Sequence, residues 1–212
     1  MQEQRLSSLL CPVTGRALRL KKIKAVEGDV VEGELRATDG PTYSIREGIP
    51  SFISVDGASS QTIRSFAQKW AKHRYYRAHT ARFYTEWYLE RYGLYDVEGL
   101  GTFLAPMRNI LDAGTGAGRD ASNFVENSEA NVFAVDTAWD ALEVARRELR
   151  NPRLSFIHAD LHKSPFPDEF FDFINCDQVI HHTPDPRAAF ETLARKLKPG
   201  GVICCYVYKK KA

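Results

Sequence analysis

From position 108 to position 208 the chain alternates short apolar runs with stretches whose apolar residues recur every three to four positions. The runs are Ile110-Leu111-Asp112-Ala113, Asn131–Asp136, Leu154–His158, Phe170–Cys176 and Val202–Tyr208. Between them, Ala121, Phe124 and Val125 mark one helix; Ala138, Ala141, Leu142, Ala145 and Leu149 mark a second, with a basic outer face. A third, over 184–197, presents Ala189, Phe190, Leu193 and Leu197 and stops at Lys198-Pro199-Gly200-Gly201. Strand and helix repeated in this way predict an α/β fold with a doubly wound, mostly parallel sheet. The fifth run is apolar on both faces, as a central strand is, and at an edge it would be a template for further pairing.

The first half has a different rhythm. Residues 1–56 show alternating segments at Leu18–Val26 and Val30–Ala37, turn signals at Cys11–Gly15 and Asp39-Gly40-Pro41, and a closing Tyr43–Phe52 stretch, which predicts a small β-rich domain. A linker at 57–62 leads into 63–92, crowded with Phe66, Trp70, Tyr75, Tyr76, Phe83, Tyr84, Trp87, Tyr88 and Tyr92. The period breaks around His73–Thr80, so two helices joined by a bend are expected, then a short helix over Val97–Leu104. Packing onto the sheet is one use for these rings, and a lid that excludes water from a charged centre is another. The division expected is therefore 1–56, a helical aromatic-rich linker or lid at 57–106, and a core at 107–212.

Composition narrows the class. The 212 residues carry a net charge of +2, with 43% hydrophobic and 26% charged residues, ordinary for a globular protein. No basic stripe points to nucleic acid. No apolar run is long enough to span a bilayer, and the N-terminus lacks the basic-then-apolar layout of a secretory signal. The four cysteines do not form a disulfide framework. A cytoplasmic protein without membrane partners is expected.

The candidate chemistry gathers at the strand ends. Gly114-Thr115-Gly116-Ala117-Gly118 follows Asp112 and opens a helix, a geometry that lets a nucleotide lie against the main chain and faces it with helix N–H groups. The spacing departs from the G-x-G-x-x-G dinucleotide fingerprint, which disfavours a nicotinamide-dependent oxidoreductase without removing it. Asp136 ends the second strand, where its two oxygens suit a ribose. Asp160-Leu161 follows the third, and Asp177 the fourth, where it could also cap the next turn. His181 and His182 are read as the only histidines near the carboxyl ends of these strands, and imidazole can accept a proton at neutral pH.

Asp112-x-Gly-x-Gly-x-Gly, Asp136, Asp160-Leu161, Phe166-Pro-Asp-Glu-Phe-Phe-Asp172, His181-His182 and Lys198-Pro-Gly-Gly, in this order, resemble a class I S-adenosylmethionine-dependent methyltransferase of the ubiquinone/menaquinone methyltransferase-like group. The resemblance implies a Rossmann-like methyltransferase sheet, here lacking the last two strands, so that the chain is read as C-terminally truncated. It implies S-adenosyl-L-methionine as cofactor: the Ala113–Gly116 turn and Asp112 at its methionine end, Asp136 on the ribose, Thr137 beside the adenine, Asp160 and Leu161 on the adenine, Cys176 and Asp177 beside the sulfonium and ammonium. His182 is the first candidate for a base and His181 the second; either could instead be an ordinary turn residue.

Leu9-Leu10-Cys11-Pro12, Gly15 and Tyr43-Ser-Ile-Arg-Glu-Gly-Ile-Pro50 resemble the zinc-ribbon-like domain that acts as activator of certain tRNA and translation-factor methyltransferases. A structural zinc site wants four ligands. Cys11 has Thr14 at its paired position and no other Cys or His precedes His73, so this unit is read as having lost its metal. Methyl transfer to a small molecule is expected. RNA as the acceptor and a non-catalytic S-adenosylmethionine/S-adenosylhomocysteine-binding module stay as alternatives, and a homo-oligomer is expected to cover the fifth strand.

Overall fold

A computed structural model describes residues 1–53 and 76–208, with the side chains of 76–82 excepted. A short helix α1 (Glu3–Leu6) precedes β1 (Leu18–Val26), β2 (Asp29–Ala37), β3 (Thr42–Arg46) and β4 (Ile49–Ser51). These strands form an antiparallel meander. Two tight turns set its register. Glu27-Gly28 joins Val26 to Asp29 and Glu47-Gly48 joins Arg46 to Ile49, and all four turn residues have positive φ, the backbone that matches the twist of adjoining strands.

Helix α2 (Tyr76–Arg91) and α3 (Val97–Leu104) follow; Asp96 caps α3 by accepting from the Gly99 N–H at 2.8 Å. The break expected around His73–Thr80 is not present over 76–80, which belong to the continuous helix α2; residues 73–75, the linker and the rings of Phe66, Trp70, Tyr75 and Tyr76 lie outside the described residues. Then come β5 (Asn109–Ala113), α4 (Arg119–Glu126), β6 (Asn131–Asp136), α5 (Trp139–Glu148), β7 (Leu154–His158), β8 (Phe171–Asp177), α6 (Pro186–Lys196) and β9 (Leu197–Tyr206). Strand and helix alternate from β5 to β9 except between β7 and β8, where only a 3-10 turn at Leu161–Lys163 intervenes.

Strand order is β1-β2-β3-β4-β7-β6-β5-β8-β9, and the five strands β5 to β9 pair in parallel. The sheet does not stop at the N-terminal meander. Ser51 on β4 pairs in parallel with His158 on β7, and the Phe52 N–H donates to the His158 carbonyl at 2.8 Å. At the other end β9 starts earlier than its apolar run suggests, because Leu197 already pairs with Phe171 and a register shift carries the Lys198–Gly201 stretch into the strand. The outer edge of β9 pairs with no strand among the described residues.

Side chains alternate across the sheet with the period of two that strands impose. Leu111, Phe133, Val135, Ile157 and Ile174 point to one core, with Ala189 and Leu193 of α6. Met1, Leu6, Leu9, Leu35 and Ile45 of the N-terminal unit belong to the same core. Ile110, Val132, Ala134, Phe156 and Phe173 point to the other, covered by Tyr88, Leu89, Leu100, Leu104, Phe124 and Leu142. Two-sided burial explains the continuous apolar runs of the central strands, and leaves the polar groups at the strand ends to form the crevice. No helix among the described residues is long and apolar enough to cross a membrane.

Candidate functional site

The carboxyl ends of β5, β6, β7 and β8 lie side by side, since each neighbours the next in parallel. Asp112, Asp136 and Asp177 stand at three of these tips, and Asp160 follows the fourth, so the structure brings the predicted acidic residues to one edge of the sheet.

Asp112 is buried at the centre. Thr115 Oγ1 donates to its Oδ2 at 2.6 Å and Asn175 Nδ2 to its Oδ1 at 2.8 Å. Burial, with Asp120 next to it, pushes the Asp112 carboxyl up to about 7, because desolvation and a like charge both disfavour the anion. Asp120, in the first turn of α4, is forked by Arg119 at 2.8 and 3.2 Å, and the Arg119 guanidinium lies 5.0 Å from the centre of the Tyr84 ring. The Tyr88 hydroxyl donates to Asn175 Oδ1 at 3.1 Å. None of Thr115, Asn175, Asp120 and Arg119 was singled out from sequence, though Thr115 and Asp120 flank the glycines that were.

The glycine turn is fastened to β6. The N–H groups of Gly114 and Thr115 donate to the Val135 carbonyl at 2.8 and 2.9 Å. Asp136 accepts from the Gly116 N–H at 2.7 Å through Oδ2 and from the Ala138 N–H at 2.8 Å through Oδ1. Gly114 has φ +81, and a Cβ there would lie 2.4 Å from the Val179 methyls. Only glycine fits this approach, so the residue pressed against the turn is Val179, from the loop after β8. Ala113 is buried at the end of β5.

Asp177 ends β8 with its side chain 1% exposed. Tyr92 Oη donates to Oδ1 at 2.8 Å, and Arg91 Nη2 and Gln178 Nε2 donate to Oδ2 at 3.1 and 2.9 Å. At the end of the aromatic segment Tyr88 reaches Asn175, and Arg91 and Tyr92 reach Asp177, all on β8. Cys176 points into the core beside Cys205, its partner in register on β9; their hydrogen bond raises the Cys176 thiol and lowers that of Cys205.

The remaining predicted residues are more scattered. Asp160 caps a 3-10 turn at Leu161–Lys163, its Oδ1 accepting from the His162 backbone N–H at 2.9 Å and lying 2.8 Å from His162 Nδ1. Leu161 is buried, and the Thr137 carbonyl meets His158 Nε2 at 3.0 Å. The expectation that His181 and His182 alone stand near the strand ends is corrected: His158 ends β7, 2.7 Å from Ser51 Oγ, and His162 follows it. His181 and His182 form a 3-10 turn with Ile180. His182 is exposed. The His181 ring packs 4.6 Å from Tyr208, and burial and then His182 lower its basicity.

Known proteins resemble this part of the chain. Residues 111–205 match the family profile described as a methyltransferase domain. An uncharacterised methyltransferase of Schizosaccharomyces pombe is 37% identical over 106 residues, which cover 45% of this chain and 38% of that protein. Demethylmenaquinone methyltransferase of Clavibacter sepedonicus is 39% identical over 98 residues, 45% of this chain and 40% of that protein. Among solved structures, phosphoethanolamine N-methyltransferase 2 of Haemonchus contortus in complex with S-adenosyl-L-methionine is 27% identical, with 45% of this chain and 23% of that chain covered and a TM-score of 0.43. The match to the two curated relatives thus spans 38% and 40% of their length. Residues 111–205, which hold the strand tips of the crevice from Asp112 to Asp177, are the part of the chain that matches the methyltransferase domain profile.

Proposed function

We propose that this chain transfers a methyl group from S-adenosyl-L-methionine to a small-molecule acceptor, as a class I enzyme. The observation that carries the reading is the set of carboxylates at neighbouring strand tips around the Gly114–Gly116 turn, within a methyltransferase domain. The donor set fits the cofactor. Each Asp136 oxygen accepts one backbone N–H, and a carboxylate offers about four acceptor positions, so both oxygens keep capacity for ribose hydroxyls. Asp177 stands at the neighbouring tip of β8, held by Tyr92, Arg91 and Gln178. When bound, the cofactor supplies a methyl group on an activated leaving group.

The chain's own part is alignment and dryness. Asp136 and the turn fix the nucleoside, Leu161 offers an apolar surface, and Tyr88 of α2 and Tyr92 just after it close the end of the crevice. The exposed His182 is the first candidate for a proton acceptor, by access, and the less basic His181 the second. A small molecule is favoured over RNA because Lys21, Lys22 and Lys24 on β1 face Glu34, Glu3 and Glu32, leaving little unneutralised positive charge on that strand. Residues 1–56 are read as a zinc-ribbon-like unit without metal, in which the Cys11 Sγ lies 3.2 Å from Tyr43 Oη.

Calorimetric titration with S-adenosylmethionine, S-adenosylhomocysteine and NAD tests this. Binding of the two adenosyl compounds and not of NAD is expected; NAD binding alone overturns the reading. Methyl incorporation into small molecules rather than RNA, with accumulation of S-adenosylhomocysteine, separates the enzyme from a binding module.

A further inference from the structure

Arg91 closes the last turn of α2 with its guanidinium between two aromatic rings, 3.9 Å from the centre of Trp87 and 4.3 Å from that of Tyr206. Its Nη2 is held by Asp177 at 3.1 Å, and its side chain is only 11% exposed. Nε and Nη1 are buried and have no hydrogen-bond partner among the described residues. Buried guanidinium donors are ordinarily paired, since an N–H taken out of water and left unpaired is costly. Asp177 and Tyr206 are partners in register across β8 and β9, so Arg91 sits at the far end of the crevice from β6 and β7. If the nucleoside occupies the tips of β5, β6 and β7, as the reading above requires and on which this inference rests, the acceptor enters beside β8 and β9.

We propose that Arg91 selects the methyl acceptor: the acceptor carries an oxyanion that takes the unpaired N–H groups of Arg91, with Trp87 and Tyr206 as flanking walls. Arginine suits this task because its charge is permanent and its faces stack on aromatic rings while its edges donate. Asp177 orients the guanidinium through one nitrogen and leaves the other two to the ligand.

The test uses the full chain saturated with S-adenosylhomocysteine and titrated with sodium benzoate and, separately, inorganic phosphate, with benzamide as the neutral comparison. At least one anion is expected to bind, benzamide to bind more weakly, and Arg91→Met to weaken the anion by about tenfold or more, as loss of a charge-assisted contact does. If Arg91→Met does not fold, Arg91→Lys carries the comparison, with a smaller loss expected because the charge stays but the planar fork is gone. Absence of binding by both anions, or equal affinity in the Arg91 variant, overturns the proposal. A protein that fails to bind S-adenosylhomocysteine in the first place overturns the site reading itself, and this inference with it.

Discussion

Asn175 Nδ2 donates to Asp112 Oδ1 at 2.8 Å, so one amide on β8 holds the carboxylate at the tip of the central strand. The same amide accepts from Tyr88 Oη on α2, which ties the helix over the crevice to the sheet beneath it. Glycine turn, sheet and covering helix are therefore one hydrogen-bonded unit.

Replacing Asn175 by alanine leaves a buried carboxylate and a buried hydroxyl each one partner short. A loss of about 2–4 kcal/mol of stability is expected, since unsatisfied buried groups cost about 1–3 kcal/mol each. Urea unfolding of Asn175→Ala beside the parent measures it. A midpoint unchanged from the parent would mean the two groups find other partners.

Asp112 makes stability depend on pH in the direction opposite to most carboxylates. Its folded value of about 7 lies above the ordinary 3.8, so between these values the folded state binds more protons than the unfolded state. Stability from this group is greatest below the ordinary value and falls as pH rises to about 7, by up to about 4 kcal/mol over that window, with 1.36 kcal/mol for each pH unit. Asp112→Asn should flatten this component. Urea unfolding of both proteins from pH 4 to 8 should show the parent losing stability relative to the variant as pH rises; parallel curves would contradict the assignment.

Gly114→Ala should destabilise by about 1–3 kcal/mol from backbone strain at φ +81, with a further cost from the collision with Val179. Val179→Ala in the same chain should relieve the 2.4 Å clashes with the methyls, leaving the 2.9 Å approach to the Cβ at 179 and the backbone part. A double-mutant cycle separates the two. Full rescue would show that the φ constraint is negligible, and no rescue that Val179 yields freely.

The N-terminal unit and the parallel sheet should unfold together. Met1, Leu6, Leu9 and Leu35 share a core with Leu111, Phe133 and Ile174, and Ser51 meets His158 across the strand junction at 2.7 Å. Hydrogen exchange of the backbone N–H groups in β2 and in β6 is expected to report the same global opening free energy. Markedly earlier exchange throughout β2 would show two separately stable units.

Much of this was legible in the chain itself. The strands β5 to β8 declare themselves because two-sided burial demands unbroken apolar runs, and Asp112 and Asp136 stand out because they interrupt or end those runs. The glycine turn was legible for the same reason that Gly114→Ala should fail. What stayed hidden depends on which elements become neighbours. Asn175 reads as one polar residue in an apolar strand, and nothing local says that β8 will lie beside β5 with Tyr88 above it. Arg91 reads as an ordinary basic residue at a helix end until Trp87 and Tyr206 flank it. The pairing of Ser51 with His158 joins segments far apart in sequence, and Lys198-Pro-Gly-Gly, a helix stop by composition, enters β9 only through a register shift against β8.

A crystal structure of the full chain with S-adenosylhomocysteine tests the central claim most directly. The nucleoside is expected over the Gly114–Gly116 turn, with its ribose hydroxyls within hydrogen-bonding distance of Asp136 and its ammonium group on the Asp112 and Asp177 side. A ligand seated elsewhere on the protein, or a crevice that stays closed by Val179 at saturating ligand, would contradict it.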